Sequence, residues 1–92
     1  MAIKLITYDL NKQGQNYSAL YDENKKLGPC INPLDSVWLV QTDIMSSEIR
    51  DRLKSVADKN DYFIVVPYAI NKNDERAAWL KGEHIEWIQG HL

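Results

Sequence analysis

Apolar residues change period several times along this chain, and each change marks an element. Ala2-Ile3-Lys4-Leu5-Ile6-Thr7-Tyr8 is rich in aliphatic and β-branched residues, so Ile3 to Tyr8 reads as a buried strand. It runs straight into Asp9 and the polar loop Asn11-Lys12-Gln13-Gly14-Gln15. From Tyr17, the residues Leu20, Tyr21, Asn24 and Leu27 recur at helical spacing, with Asn16 as N-cap, Gly28 as a left-handed stop and Pro29 forbidding continuation. Pro29 to Pro33 reads as a short edge strand, where proline is tolerated. Leu34-Asp35-Ser36 then turns into the strand Val37-Trp38-Leu39-Val40-Gln41-Thr42. Ser46, Ser47 and Glu48 open a second helix of about Ser47 to Asp58, whose apolar face is Ile49, Leu53, Val56 and Ala57. Lys59-Asn60-Asp61 breaks it, and Tyr62 to Val66 is a last buried strand closed by Pro67. Beyond the polar link Asn71 to Glu75, Trp79, Leu80, Ile85, Trp87 and Ile88 predict a helical tail, interrupted or started afresh near Gly82.

Strand, helix, weak strand, strand, helix, strand is the order of an α+β, ferredoxin-like βαββαβ sandwich, one antiparallel sheet with both helices on one face. Residues 1–68 hold that domain, and residues 69–92 form a linker and helical C-terminal extension. The second face of the sheet needs a cover, and a second copy of the chain is the economical one. The expectation is therefore a homodimer.

Composition narrows the picture further. At 92 residues the chain is one domain. No stretch approaches the roughly 18 apolar residues of a membrane span, and the start does not read as a signal peptide. The lone Cys30 allows no internal disulfide framework and no cysteine-based zinc cluster. These features read as a cytoplasmic protein without a membrane partner. A net charge of −2 argues against general coating of nucleic acid, though not against a local basic stripe. Three tryptophans and five tyrosines offer more aromatic surface than one small core needs, which points to a subunit or protein-partner interface, with the tail as its natural place.

Asp9 is the residue that most needs a reason, because a carboxylate at the end of a buried strand is costly unless paired, solvated or bound to a cation. In a symmetric dimer, two Asp9 carboxylates near the twofold axis would share a Mg²⁺ or Mn²⁺ ion. Alternatively, Asp9 accepts hydrogen bonds from the following loop. Lys12, Lys25 and Lys26, with the amides around Gly14, are candidates for phosphate contact, or else solvated surface lysines. Arg50, Arg52 and Lys54 form another basic group, which Glu48, Asp51 and Asp58 dilute into a salt-bridged face. His84 and His91 lack the spacing of a chelating pair, and Ser36 and Ser46 have no histidine placed to activate them. Cys30 beside Pro29 reads as a small buried residue.

Ile6-Thr7-Tyr8-Asp9-Leu10 at the strand end, a helix, Asp35-Ser36-Val37-Trp38, a second helix and a short closing strand together resemble the second core protein of CRISPR spacer acquisition. The Tyr8-Asp9-Leu10-Asn11 opening with Asn16-Tyr17 downstream looks most like its stand-alone, SinR-like relatives. The resemblance covers Ala2 to Pro67. It implies a ferredoxin-like homodimer in which Asp9 is both the catalytic residue and the metal ligand at the dimer axis. The activity implied is Mg²⁺-dependent phosphodiester cleavage of RNA or double-stranded DNA, with Mn²⁺ as a substitute. On this reading Asn11, Lys12 and Gly14 position phosphate, and Tyr8 and Ser36 are hydrogen-bonding neighbours of the site. Other members of the family act as structural bridges without cleaving. A non-catalytic interaction module, using the sheet face and the tryptophan tail, is the alternative from a different class.

Overall fold

A computed structural model of the chain describes residues 2–9, 17–71 and 73–92. Its elements run β1 (Ile3–Asp9), α1 (Ser18–Leu27), β2 (Cys30–Leu34), β3 (Val37–Gln41), α2 (Ser46–Val56), β4 (Tyr62–Ala69) and α3 (Gly82–Gly90). They build a small α+β fold with one four-stranded antiparallel sheet in the order β2-β3-β1-β4 and three helices. Both neighbours of β1 are antiparallel to it: Leu5 lies opposite Leu39 on β3 and Val66 on β4. The α1 crossover leaves a gap between β1 and β2, and β3 fills it.

Strand alternation divides the side chains between two cores. On one face Ile6, Tyr8, Trp38 and Val40 meet Leu20 and Leu27 of α1 and Ile49 and Leu53 of α2. On the other face Ile3 and Leu39 are covered by Ile88 of α3, with Leu5, Ile31, Tyr68, Leu80, Trp87 and Leu92 packed around them. Gln41 Nε2 donates to the His91 carbonyl at 2.8 Å and fastens the end of the tail to β3. The tail thus covers its own sheet at the Ile3 end. Towards the Asp9 end the same face stays open, with Leu34, Ile64 and Val66 exposed.

Three local expectations meet a different outcome. Gly28 does not adopt the left-handed helical turn; its φ of 155° and ψ of −173° are an extended conformation that side chains rarely take. The cause is proximity, since a Cβ on Gly28 would run into the Gln41 carbonyl oxygen, whose own amide bonds Pro29 O at 2.8 Å. Secondly, β4 does not close at Pro67 but continues to Ala69. It is an edge strand with a register shift between its partners Ile3 and Lys4, and an edge beside an irregularity accommodates a residue without an N–H. Thirdly, α2 ends at Val56 rather than near Asp58, because Asp61 draws the chain into a turn: its amide donates to Asp58 O and its Oδ2 accepts the Asp58 amide, both at 3.0 Å. The proposed N-cap Asn16 lies outside the described residues, and Tyr17 stands at the N-cap position of α1.

Candidate functional site

Asp9 is the last residue of the central strand β1, opposite Tyr62 at the start of β4. It is exposed and borders a hollow of about 250 Å³ lined by Thr7, Tyr8, Asp9, Tyr62, Phe63 and Ile64. The sheet sets this geometry. Thr7 lies between Val37 and Ile64 in the ladders, and residues two apart share a face, so Asp9 continues the row Leu5, Thr7 beyond the reach of α3.

Ser36 arrives at the same end of the sheet through the β2–β3 hairpin. Asn32 Nδ2 clamps that hairpin by donating to the carbonyls of Leu34 and Val37, each at 2.7 Å. The Ser36 carbonyl then accepts the Tyr8 amide at 3.0 Å. Tyr8 itself points the other way. Its ring is buried in the helix-side core, and its hydroxyl accepts a hydrogen bond from Asn24 Nδ2. Burial pushes the Tyr8 phenol well above its ordinary value of 10.0, partly opposed by the Asn24 bond. The backbone of Tyr8 therefore belongs to this end of the sheet, while its side chain anchors β1 to α1.

The lysines of α1 are elsewhere. Lys25 and Lys26 stand exposed in its last turn, next to the Cys30 end of β2, and Lys26 Nζ lies 3.8 Å from Glu23. Cys30 pairs with Val40 and Val40 with Lys4, so this is the Lys4 end of the sheet. The Lys4-to-Asp9 stretch of β1 covers roughly 16 Å at the usual strand rise. Lys25 and Lys26 thus do not join Asp9. Asn11, Lys12 and Gly14 fall outside the described residues.

Other candidate groups have local duties. His91 stacks on Trp87 with ring centres 4.1 Å apart, and its Nδ1 lies 2.7 Å from the Trp87 carbonyl. His84 Nε2 sits 3.9 Å from Glu83. Burial raises the pKa of the Cys30 thiol, against a smaller opposing effect of Lys25, which lowers its nucleophilicity at neutral pH. Among the described residues no group of three or more His, Cys, Asp or Glu is placed to hold a metal. Asp9 is an oxygen donor of the kind hard cations prefer.

Tyr62 is the neighbour that the sequence pattern did not mark. It reads as an ordinary strand residue until the β1–β4 register sets it opposite Asp9. Among the described residues no helix is long and apolar enough to cross a membrane. No protein-family model and no solved structure matches the chain.

Proposed function

We propose that two copies of this chain form a ferredoxin-like dimer that engages nucleic acid and cleaves phosphodiester bonds at a Mg²⁺ site built on Asp9. The observation that carries the reading is an exposed carboxylate at the end of the central strand, beside the part of the sheet that the chain's own tail leaves bare. The fold assignment is supported by β4-β1-β3-β2 pairing with α1 and α2 on one face, and the activity by the sequence resemblance around Asp9.

Dimerisation is argued from the bare surface. Trp79 is fully exposed and lines an apolar hollow of about 250 Å³ with Leu34, Val37 and Leu80. An aromatic side chain buries roughly 150–250 Å². Leu34, Ile64 and Val66 add further exposed apolar surface on the same face of the sheet, and burial of apolar patches of this kind is what a stable interface is built from. Asp9 lies at the rim of that patch, where the two copies' carboxylates approach.

In this arrangement each residue has a stated duty. Asp9 contributes a negative oxygen donor held by the β1–β4 ladder. Lys12, with Asn11 and Gly14, positions the phosphate, and the hairpin carrying Ser36 holds the backbone of Tyr8 beside Asp9. A bound cation would stabilise charge on the phosphate and acidify a bound water.

The test is to incubate labelled duplex DNA and single-stranded RNA with the protein in Mg²⁺, Mn²⁺ or EDTA, beside Asp9→Asn. Divalent-dependent cleavage by the wild type, abolished in a variant that remains dimeric, is the expected result. Cleavage undiminished in Asp9→Asn would sink the mechanism. A second reading, a non-catalytic module that holds a protein partner, is favoured by the full exposure of Trp79 on a tail that otherwise packs. Salt separates the two, since phosphate-driven binding weakens steeply with ionic strength and an apolar interface does not.

A further inference from the structure

Cations and aromatic rings meet where α2 ends and β4 begins. Arg50 and Lys54 are one helical turn apart on α2 and so share a face. Lys59 lies in the turn that follows, and Tyr62 and Phe63 open β4. These five residues line an open hollow of about 500 Å³. Arg52 is not among them; it faces Glu48 at 3.9 Å.

The two carboxylates in this hollow are engaged in the turn that shapes it. Asp61 is nearly fully buried, accepting the Asp58 amide and the Tyr17 hydroxyl at 3.0 Å each, and Asp58 accepts the Asn60 amide at 3.1 Å. Arg50 Nε lies 3.0 Å from Asp51, but both groups are solvent-exposed, and such pairs exchange readily for another anion. Two aromatic residues line the same hollow as the cations: Tyr62 is 66% exposed and Phe63 is half-buried. Stacking surfaces bordered by backbone-tracking cations are the means by which proteins hold single-stranded nucleic acid.

We infer that this hollow binds a nucleotide unit of a single strand, its base stacked on Tyr62 and its phosphates facing Arg50, Lys54 and Lys59. The inference rests on the proposed nucleic-acid association and names its substrate class as single strands. Bases stacked within a duplex offer no free face to Tyr62. Tyr62 also lines the hollow at Asp9, so a strand seated here runs on towards that carboxylate. Phe63 packs against the helix-side core, while Tyr62, opposite Asp9 at the start of the edge strand, borders both this hollow and the one at Asp9.

The experiment is fluorescence anisotropy of a labelled twelve-nucleotide single strand in EDTA, from 50 to 200 mM salt. Wild type is compared with Tyr62→Ala, Tyr62→Phe and the triple variant Arg50→Gln/Lys54→Gln/Lys59→Gln. Loss of one stacked base weakens binding about 5- to 150-fold in Tyr62→Ala, while Tyr62→Phe stays within about twofold. The triple variant flattens the log–log salt slope by about 2, at roughly 0.7 per phosphate lost. Tyr62→Ala binding like wild type, or a preference for the matching duplex, overturns the inference. Unlabelled AMP separates the two sources of a nucleotide: displacement at equal concentration would assign the hollow to free nucleotides and overturn the strand claim. Because EDTA prevents cleavage, the two proposals fail separately. Tyr62-dependent binding without any divalent-dependent cleavage retains this site and removes the nuclease reading. Asp9-dependent cleavage with binding indifferent to Tyr62 does the reverse.

Discussion

The hydrogen bond between Asn24 and Tyr8 ties α1 to the strand that carries Asp9, and it can be taken apart from both sides. Asn24 has no exposed surface; its Nδ2 donates to the Tyr8 hydroxyl, and its Oδ1 has no partner among the described residues. Tyr8→Phe removes the acceptor and leaves a buried N–H unpaired, at a cost of about 1–3 kcal/mol. Asn24→Leu strands the tyrosine hydroxyl instead, but it also removes the unpartnered Oδ1, so its cost falls at the lower end of that range. In the double variant both partners are apolar and of similar shape, and the loss is expected to shrink rather than add. The coupling energy should be at least about 1 kcal/mol, measured from urea unfolding at pH 7 followed by tryptophan fluorescence. Strict additivity of the two single losses would refute a hydrogen bond across this interface. A pH series gives a second readout. Burial raises the Tyr8 pKa above 10.0, so the native state keeps a proton that the unfolded chain releases. Stability is therefore intact below about pH 10 and declines as pH rises beyond it, approaching about 1.4 kcal/mol per pH unit. This decline should be absent in Tyr8→Phe; an equal slope in that variant would place the alkaline sensitivity elsewhere.

Other consequences are simpler to read. Gly28→Ala is expected to destabilise by about 1–3 kcal/mol from the backbone conformation alone, with the contact against the Gln41 carbonyl adding to it, and a denaturation midpoint like wild type would refute the close approach. Ile88→Ala should cost about 2–5 kcal/mol, because Ile88 is the residue of α3 buried against Ile3 and Leu39. Removing residues 71–92 should expose the same surface and cause aggregation, whereas a soluble truncated protein of equal stability would show that the tail serves an outside partner. Ile64→Lys, on the exposed part of the sheet, should leave the fold intact and dissociate the proposed dimer in light scattering; a dimer that survives this charge would place the interface elsewhere.

Period and punctuation alone made β1 to β4 and the first two helices legible. Their signals are local: Ile3 to Tyr8 as an aliphatic run, Leu20, Asn24 and Leu27 at helical spacing, and a second spaced set at Ile49 and Leu53. The sequence left the tail helix either interrupted or started afresh near Gly82, and α3 begins there. What only the tertiary structure decided are matters of register and approach. That β4 runs through Pro67 depends on its being an edge strand beside a register shift, and nothing in Val65-Val66-Pro67 says which strand will lie at the edge. The unusual conformation of Gly28 follows from Gln41 across the gap between strands, not from its place after a helix. Likewise the sequence drew attention to Asp9 through its cost at a strand end, but Tyr62 became its neighbour only once the antiparallel ladder was counted. Arg50 and Lys54 look like part of a solvated, self-compensating helix face. The turn at Asp58 to Asp61 brings them beside two aromatic rings, a juxtaposition of residues on different elements that local spacing does not encode.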